Sequence, residues 1–214
     1  SRTVWVGETE WRQRMRWTVG LTVRPGRSFV EAAVRMTNRT PLAHSMLYFS
    51  NPAVHTNDDY QVVFPPDVDW ATFHAKTDFA PWPLARGPFV GRYFAPGTDL
   101  SLWKNHPYPI SFFVYRSAND FLGGYDHGKH AGVVHVADRD TMPGKKFWTW
   151  GNGPDGRMWD EILTDEDGPY IELMTGGFSD NQPDYSWIQP GETRTVVHYW
   201  YPVRELGGVK AANL

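Results

Sequence analysis

The 214 residues include no cysteine, which excludes disulfides, thiolate nucleophiles and sulfur-ligated metal sites. The absence fits a reducing compartment, and the cytoplasm is the expected location, with secretion left open. No apolar run approaches the roughly 18 residues that cross a bilayer as a helix. The opening residues SRTVWVGETEWRQRMRWTV lack the charged-then-apolar order of a signal peptide. They read as strand from Ser1 onward, so the chain is expected to be a piece of a longer protein. Charge of one sign is scarce as well: 21 Lys+Arg against 24 Asp+Glu leave a net charge of -3 without a long run of either. Neither nucleic acid nor an anionic membrane is therefore expected as a partner. Repeats and low-complexity tracts are missing. No serine lies in a nucleophile elbow, and neither Gly123-Gly124 nor Gly151-Asn152-Gly153 has the strand, spacing and helix start of a phosphate loop. Acyl-enzyme chemistry and nucleotide binding are discounted on that basis, and no cofactor is expected.

Aromatic residues are abundant instead, at 15% with 11 Trp, beside 20 Gly and 17 Pro. A chain that is 41% hydrophobic and 21% charged has the composition of a folded domain, and turn residues between aromatic runs point to many strands. The expected fold class is all-β and antiparallel, with at most one or two short helices, in one domain over residues 1–214.

Along the chain, Met15 to Val23 and Ser28 to Thr37 alternate apolar and polar residues around Arg24-Pro25-Gly26-Arg27, which predicts a hairpin with one buried face. His44 to Phe49 reads as one strand and Tyr60 to Phe64 as the next. Asp67 to Gly97 loses its period and fills with Pro, Trp and Gly, so an irregular surface excursion is expected, of a length that usually serves function. Strands are expected at Ile110 to Tyr115, Phe121 to Tyr125, Gly132 to Ala137, Lys146 to Trp150, Pro169 to Thr175 and Thr193 to Pro202. Gly151 to Gly156 reads as loop, Arg157 to Leu163 as a short helix, and Arg204 to Leu214 as a Gly/Ala-rich exit.

Between Lys146 and Trp187 the aromatics Trp148, Trp150, Trp159 and Tyr170 stand among carboxylates. That combination suits a sugar, which offers apolar C–H faces for stacking and hydroxyls for hydrogen bonds, and it equally suits the core of a β-sandwich. Glu172 is the first catalytic candidate. A carboxylate inside an otherwise apolar strand is either paired or raised in pKa, unless it faces solvent from an edge. Asp160 on the short helix is a candidate second carboxylate for glycosidic chemistry. Asp126, with His127 and His130 after it, holds residue types that move protons or bind metals, but its spacing is no known ligand pattern and Lys129 opposes a cation, so no metal is expected. His135 is either a bonded core histidine or a second acid/base group. Trp148 and Trp150 are candidate stacking surfaces. Lys104, Asn105, His127, Arg157, Asp180 and Gln182 are hydroxyl or carboxylate binders by type.

The segments NRTPLAHSMLYFSNPAVHTNDDYQVVFPPDV, WKNHPYPISFFVY, DFLGGYDHGKHAGVVHVADRD, PGKKFWTWGNGPDGRMWDEILTDEDGPYIELMTGGFSDNQPDYSWIQP and YWYPVRELGGVKAANL resemble a bacterial domain of unknown function that precedes tetratricopeptide repeats. The resemblance covers nearly the whole chain and implies a galactose-mutarotase-like β-supersandwich, with a further β-rich segment upstream and helical repeats downstream as partners in the same polypeptide. More distantly, Tyr170-Ile171-Glu172, Asp180, Tyr185 and Pro190-Gly191-Glu192 stand in the order found in mutarotases. That order implies Glu172 as the general base at a sugar's anomeric hydroxyl. The mutarotase histidine that serves as acid has no counterpart in Tyr48-Phe49-Ser50-Asn51. The function implied is carbohydrate-active, glycoside-hydrolase-like or epimerase-like, with a carbohydrate as ligand, or alternatively a non-catalytic sugar-binding or scaffolding module.

Overall fold

A computed structural model describes residues 1–210 and 212. The chain opens with β1 (Arg2–Thr9), β2 (Met15–Val23) and β3 (Val30–Asn38), a meander joined by tight turns. The alternation predicted for the hairpin is present, with Ala32, Val34 and Met36 buried along one face of β3. Three short strands follow, β4 (His44–Met46), β5 (Tyr48–Ser50) and β6 (Ala53–His55), and then β7 (Tyr60–Val63), β8 (Trp70–Thr72) and β9 (Phe79–Pro81). The long strands of the second half are β10 (Ile110–Val114), β11 (Phe121–Asp126), β12 (Ala131–Ala137) and β13 (Gly144–Thr149). Helix α1 (Pro154–Thr164) precedes β14 (Tyr170–Gly177), β15 (Ser186–Ile188) and β16 (Thr193–Arg204).

These strands form two large antiparallel sheets. The first runs β1-β2-β3-β16-β12-β11-β7, the second β5-β14-β13-β10-β8-β9 with β6 also on β14, and β15 pairs β4 separately. Side chains alternate across each strand, so the inner face of the second sheet presents Phe112, Phe147, Ile171 and Leu173 to Tyr60, Val62 and Leu122 of the first. Phe112 sits at the centre, stacked on Phe89 at 4.7 Å and on Phe147 at 5.2 Å. A smaller core of Val34, Met36, Met46, Met142, Ile188 and Val196 lies under β4 and β15.

Three expectations are corrected. His44 to Phe49 is two strands, because Met46 and Ile188 pack into the smaller core while Tyr48 to Ser50 crosses to pair with β14. The excursion from Asp67 to Gly97 contains β8 and β9, each three residues long and too short to leave a period. Helix α1 starts inside the expected loop: Gly153 caps it in extended conformation and Pro154 occupies the first turn, where its fixed φ and missing N–H cost nothing. In the expected exit segment, Val209 and Ala212 pack against the outer face of the first sheet beside Phe121, Val134 and Val136, and Ala211, Asn213 and Leu214 lie outside the described residues.

Candidate functional site

Register places the site. Trp148 of β13 pairs with Glu172 of β14 and Lys146 with Met174, so alternation turns Lys146, Trp148, Tyr170 and Glu172 to the outer face, opposite the phenylalanine core. On the neighbouring strands, Ala53 pairs with Glu172, His55 with Tyr170, Ser111 with Trp148 and Phe113 with Lys146. The outer face thus carries one carboxylate, one ammonium and a set of aromatic rings.

Glu172 accepts no hydrogen bond from any described residue and lines a cavity of about 770 Å³ with Asn51, His55, Tyr60, Asp126 and Lys129. Burial raises its pKa, and the nearby Lys146 charge offsets part of that rise. Asp126 in the same cavity is the opposite case. Burial pushes its pKa up, but the Lys129 N–H and the Asn57 amide, at 2.8 and 2.6 Å, pull it below the usual carboxylate range. The two carboxyls of the cavity are thus pushed in opposite directions, Glu172 up and Asp126 down.

Lys146 is 3% exposed. Its ammonium donates to His74 Nε2 at 3.3 Å and to Gln182 Oε1 at 3.2 Å, and lies 4.7 Å from the centre of the Phe113 ring. Burial lowers its pKa to about 8, against the pull of Glu172. With Nε2 accepting from Lys146, His74 carries its proton on Nδ1 and donates it to Ser111 Oγ at 3.3 Å. Burial and the Lys146 charge together lower the His74 pKa and keep the ring neutral. The short 3-10 turn His74–Lys76 is clamped over the sheet by the loop after β14: Ala75 N–H donates to the Gln182 carbonyl at 2.7 Å, and Lys76 bridges Asp180 at 3.1 Å and Asp184 at 3.2 Å.

The aromatic wall is partly committed to itself. Trp150 stacks on Trp159 of α1 at 5.0 Å, meets Trp148 edge-on at 5.4 Å and donates Nε1–H to the Tyr170 hydroxyl at 2.9 Å. Trp148 is half-buried beside Glu172.

Glu172 therefore shares a cavity with Asp126 and the outer face of the second sheet with Trp148 and Lys146, and Lys146 bonds Gln182. Asp180 buttresses the same face by way of Lys76. Other candidates lie elsewhere. His135 points into the sandwich, 2% exposed, with Nε2 bonded to His198 Nδ1 at 3.1 Å and its ring against Trp200, because alternation in β12 gives it the inner face with Val133. Asp160 is buried on the inner side of α1, its pKa raised by burial. Arg157 donates to the Asn152 carbonyl and Asn105 to the Asp99 carbonyl, while the Lys104 carbonyl is taken by the Asn152 amide, so these three belong to the loops at the start of α1. His127 bonds Gln61 Oε1 at 2.8 Å and lines a different depression. Among the described residues no three His, Asp or Glu side chains are grouped to hold a metal. Sequence reasoning missed Lys146 and His74. A signal existed in the consecutive Lys145-Lys146 of a strand, since alternation must bury at least one of them when both faces are covered.

Residues 1–203 match the family model described as Domain of unknown function (DUF5107). A crystal structure of a TPR-domain containing protein from Parabacteroides distasonis resembles the chain with TM-score 0.78 and 25% identity, covering 99% of this chain and 35% of that one. The Slr1438 protein of Synechocystis gives TM-score 0.61 at 8% identity over 95% of this chain and 61% of that one. A galactose mutarotase-like protein from Clostridium acetobutylicum gives 0.55 at 12% over 94% and 62%. The fold is galactose-mutarotase-like, and the chain spans less than two thirds of each of these proteins.

Proposed function

We propose, from the premise that this chain belongs to the DUF5107 family, that it binds a carbohydrate on the outer face of the second sheet and moves a proton at the sugar's anomeric centre with Glu172. The observation that carries this reading is a half-buried carboxyl that no described residue hydrogen-bonds, raised in pKa, between a cavity of about 770 Å³ and a tryptophan wall. In its ionised form Glu172 takes the anomeric hydroxyl proton. Ring opening then needs a proton at the ring oxygen, and we assign it to the Lys146 ammonium on the same outer face, its pKa lowered by burial to about 8, with His74 Nε2 accepting from Lys146 and orienting it. Trp148 provides the apolar face, and Asn51 and His55 reach the hydroxyls. General acid/base groups contribute about 10²–10⁴-fold, so Glu172→Gln is expected to lower anomeric exchange by about 100-fold or more while sugar affinity changes little. Exchange NMR on a panel of reducing sugars measures it, and a rate equal to that of the unaltered protein removes Glu172 from the reaction.

A second reading has its own support. The likeness to a TPR-domain protein, of which this chain covers 35%, fits a non-catalytic sugar-binding or scaffolding module that serves helical repeats in the same polypeptide. Saturable sugar binding with no exchange or hydrolysis in the full-length protein is the outcome that selects it.

A further inference from the structure

Strand β13 sends its two lysines to opposite faces of the second sheet. Lys146 finds His74 and Gln182 on the outer face. Lys145 enters the space between the sheets, is 3% exposed, and among the described residues has neither a hydrogen-bond acceptor nor a carboxylate in ion-pair contact. The acids whose charge it feels, Asp120 and Asp67, are engaged elsewhere. Asp67 accepts from Ser117 Oγ at 2.9 Å and Ala118 N–H at 2.6 Å, and Asp120 accepts from the Arg139 N–H at 3.1 Å. Across the ladder, the buried Thr175 hydroxyl opposite Lys145 also lacks a partner. The Lys145 residue is buried but its ammonium opens onto a solvent-reached cavity, so what that cavity holds decides how the charge is met.

Lys145 lines this cavity, of about 260 Å³, with Arg116 and Arg139, at the end of the sandwich where the β10–β11 loop meets the β12–β13 turn. Both arginines are exposed at the mouth; Arg116 lies over the Tyr115 ring at 4.9 Å, and Arg139 pairs through one Nη with Asp120 at 3.5 Å, which leaves its other guanidinium N–H groups without an acceptor among the described residues. Two acids share the lining, but Asp180 is held by Lys76 at 3.1 Å and Asp140 is exposed. We infer that this cavity binds a small oxyanion, the phosphate, sulfate or carboxylate group of a ligand, with Lys145 at its floor and the guanidinium groups of Arg116 and Arg139 at its mouth. Planar guanidinium forks match oxyanion geometry, and an ammonium acts as a point charge beneath them. Burial lowers the Lys145 pKa to about 8, so the amine is still mostly protonated at pH 7, and a bound anion would hold it so. The cavity shares only Asp180 with the outer face and uses none of the groups proposed to act on the sugar, so it does not depend on that chemistry.

Thermal unfolding of the purified protein at pH 7 tests this, with inorganic phosphate, sulfate and acetate compared against chloride at matched ionic strength. At 100-fold excess over Kd a bound anion raises the midpoint by roughly 5–10 °C, and the ranking of the three identifies the group. The rise is expected to vanish in Lys145→Met and to need at least tenfold more anion in Arg116→Gln. No advantage of any of the three over chloride overturns the inference, as does a full response in Lys145→Met. Should that variant fail to fold, Arg116→Gln, at an exposed position, decides: an undiminished response refutes the site.

Discussion

Glu172 and Lys146 act on each other through space. The lysine charge lowers the Glu172 pKa against burial, and the carboxylate raises the Lys146 pKa against the same force. Replacing Lys146 by Met removes a positive charge that favours the carboxylate, so the Glu172 pKa must rise further, and the acid limb of any rate that needs ionised Glu172 moves to higher pH. The carboxyl carbon of Glu172, followed by NMR from pH 4 to 8, reports the shift directly. A midpoint that stays put or falls contradicts the coupling. Glu172 was legible in the sequence because an acid in an apolar strand has few excuses. Lys146 was not. A strand lysine ordinarily reads as solvent-facing, and the groups that bury this one come from 72 and 36 positions away, a separation that no local pattern encodes.

At the scale of elements, α1 is placed by close backbone contact rather than by side-chain packing alone. Gly156 lies against the preceding loop, where an added Cβ would collide with the Gly151 carbonyl oxygen and stand 2.7 Å from the Trp150 carbonyl oxygen. Gly156→Ala gains about 1 kcal/mol of helix propensity, but overpacking against rigid backbone costs roughly 1–3 kcal/mol. The collision is with main chain, so the cost wins. The variant is expected to unfold several degrees lower and to lose part of the Trp150–Trp159 stacking signal in near-UV circular dichroism; a midpoint above that of the parent refutes the argument. The same glycines explain why this helix began inside a stretch that reads as loop: Gly151-Asn152-Gly153 is loop, and Pro154 turns the corner. Long strands such as β3, β12 and β14 were legible by alternation. The three-residue strands β8 and β9 were not, because they owe their existence to partners in the sheet.

For the molecule as a whole, an all-β fold with one helix followed from composition and turn spacing. What composition does not reveal is that the interior holds three imidazoles. His106, His135 and His198 are 1%, 2% and 1% exposed. Burial lowers His106 and His198 to about 4 each. His135 falls well below its usual value, through burial first and then the charges of His198 and Lys145. In the unfolded chain each titrates near 6.5, so between about pH 6.5 and 4 the unfolded state binds more protons than the folded one. Stability therefore rises with pH across that window and is lost as pH falls through it, by about 1.4 kcal/mol per pH unit for each histidine once the unfolded form is protonated. Glu172 and Asp160, whose pKa values are raised by burial, work in the opposite direction, but they are two groups with smaller shifts against three imidazoles. Urea unfolding at pH 7, 6 and 5 is expected to give a falling free energy whose slope corresponds to the uptake of more than one proton. His106→Phe should be less stable at pH 7, because the Leu100 carbonyl loses its donor at 2.8 Å, yet its slope should be shallower by about one proton. A flat profile from pH 7 to 5 in the parent protein is incompatible with three neutral histidines in its core.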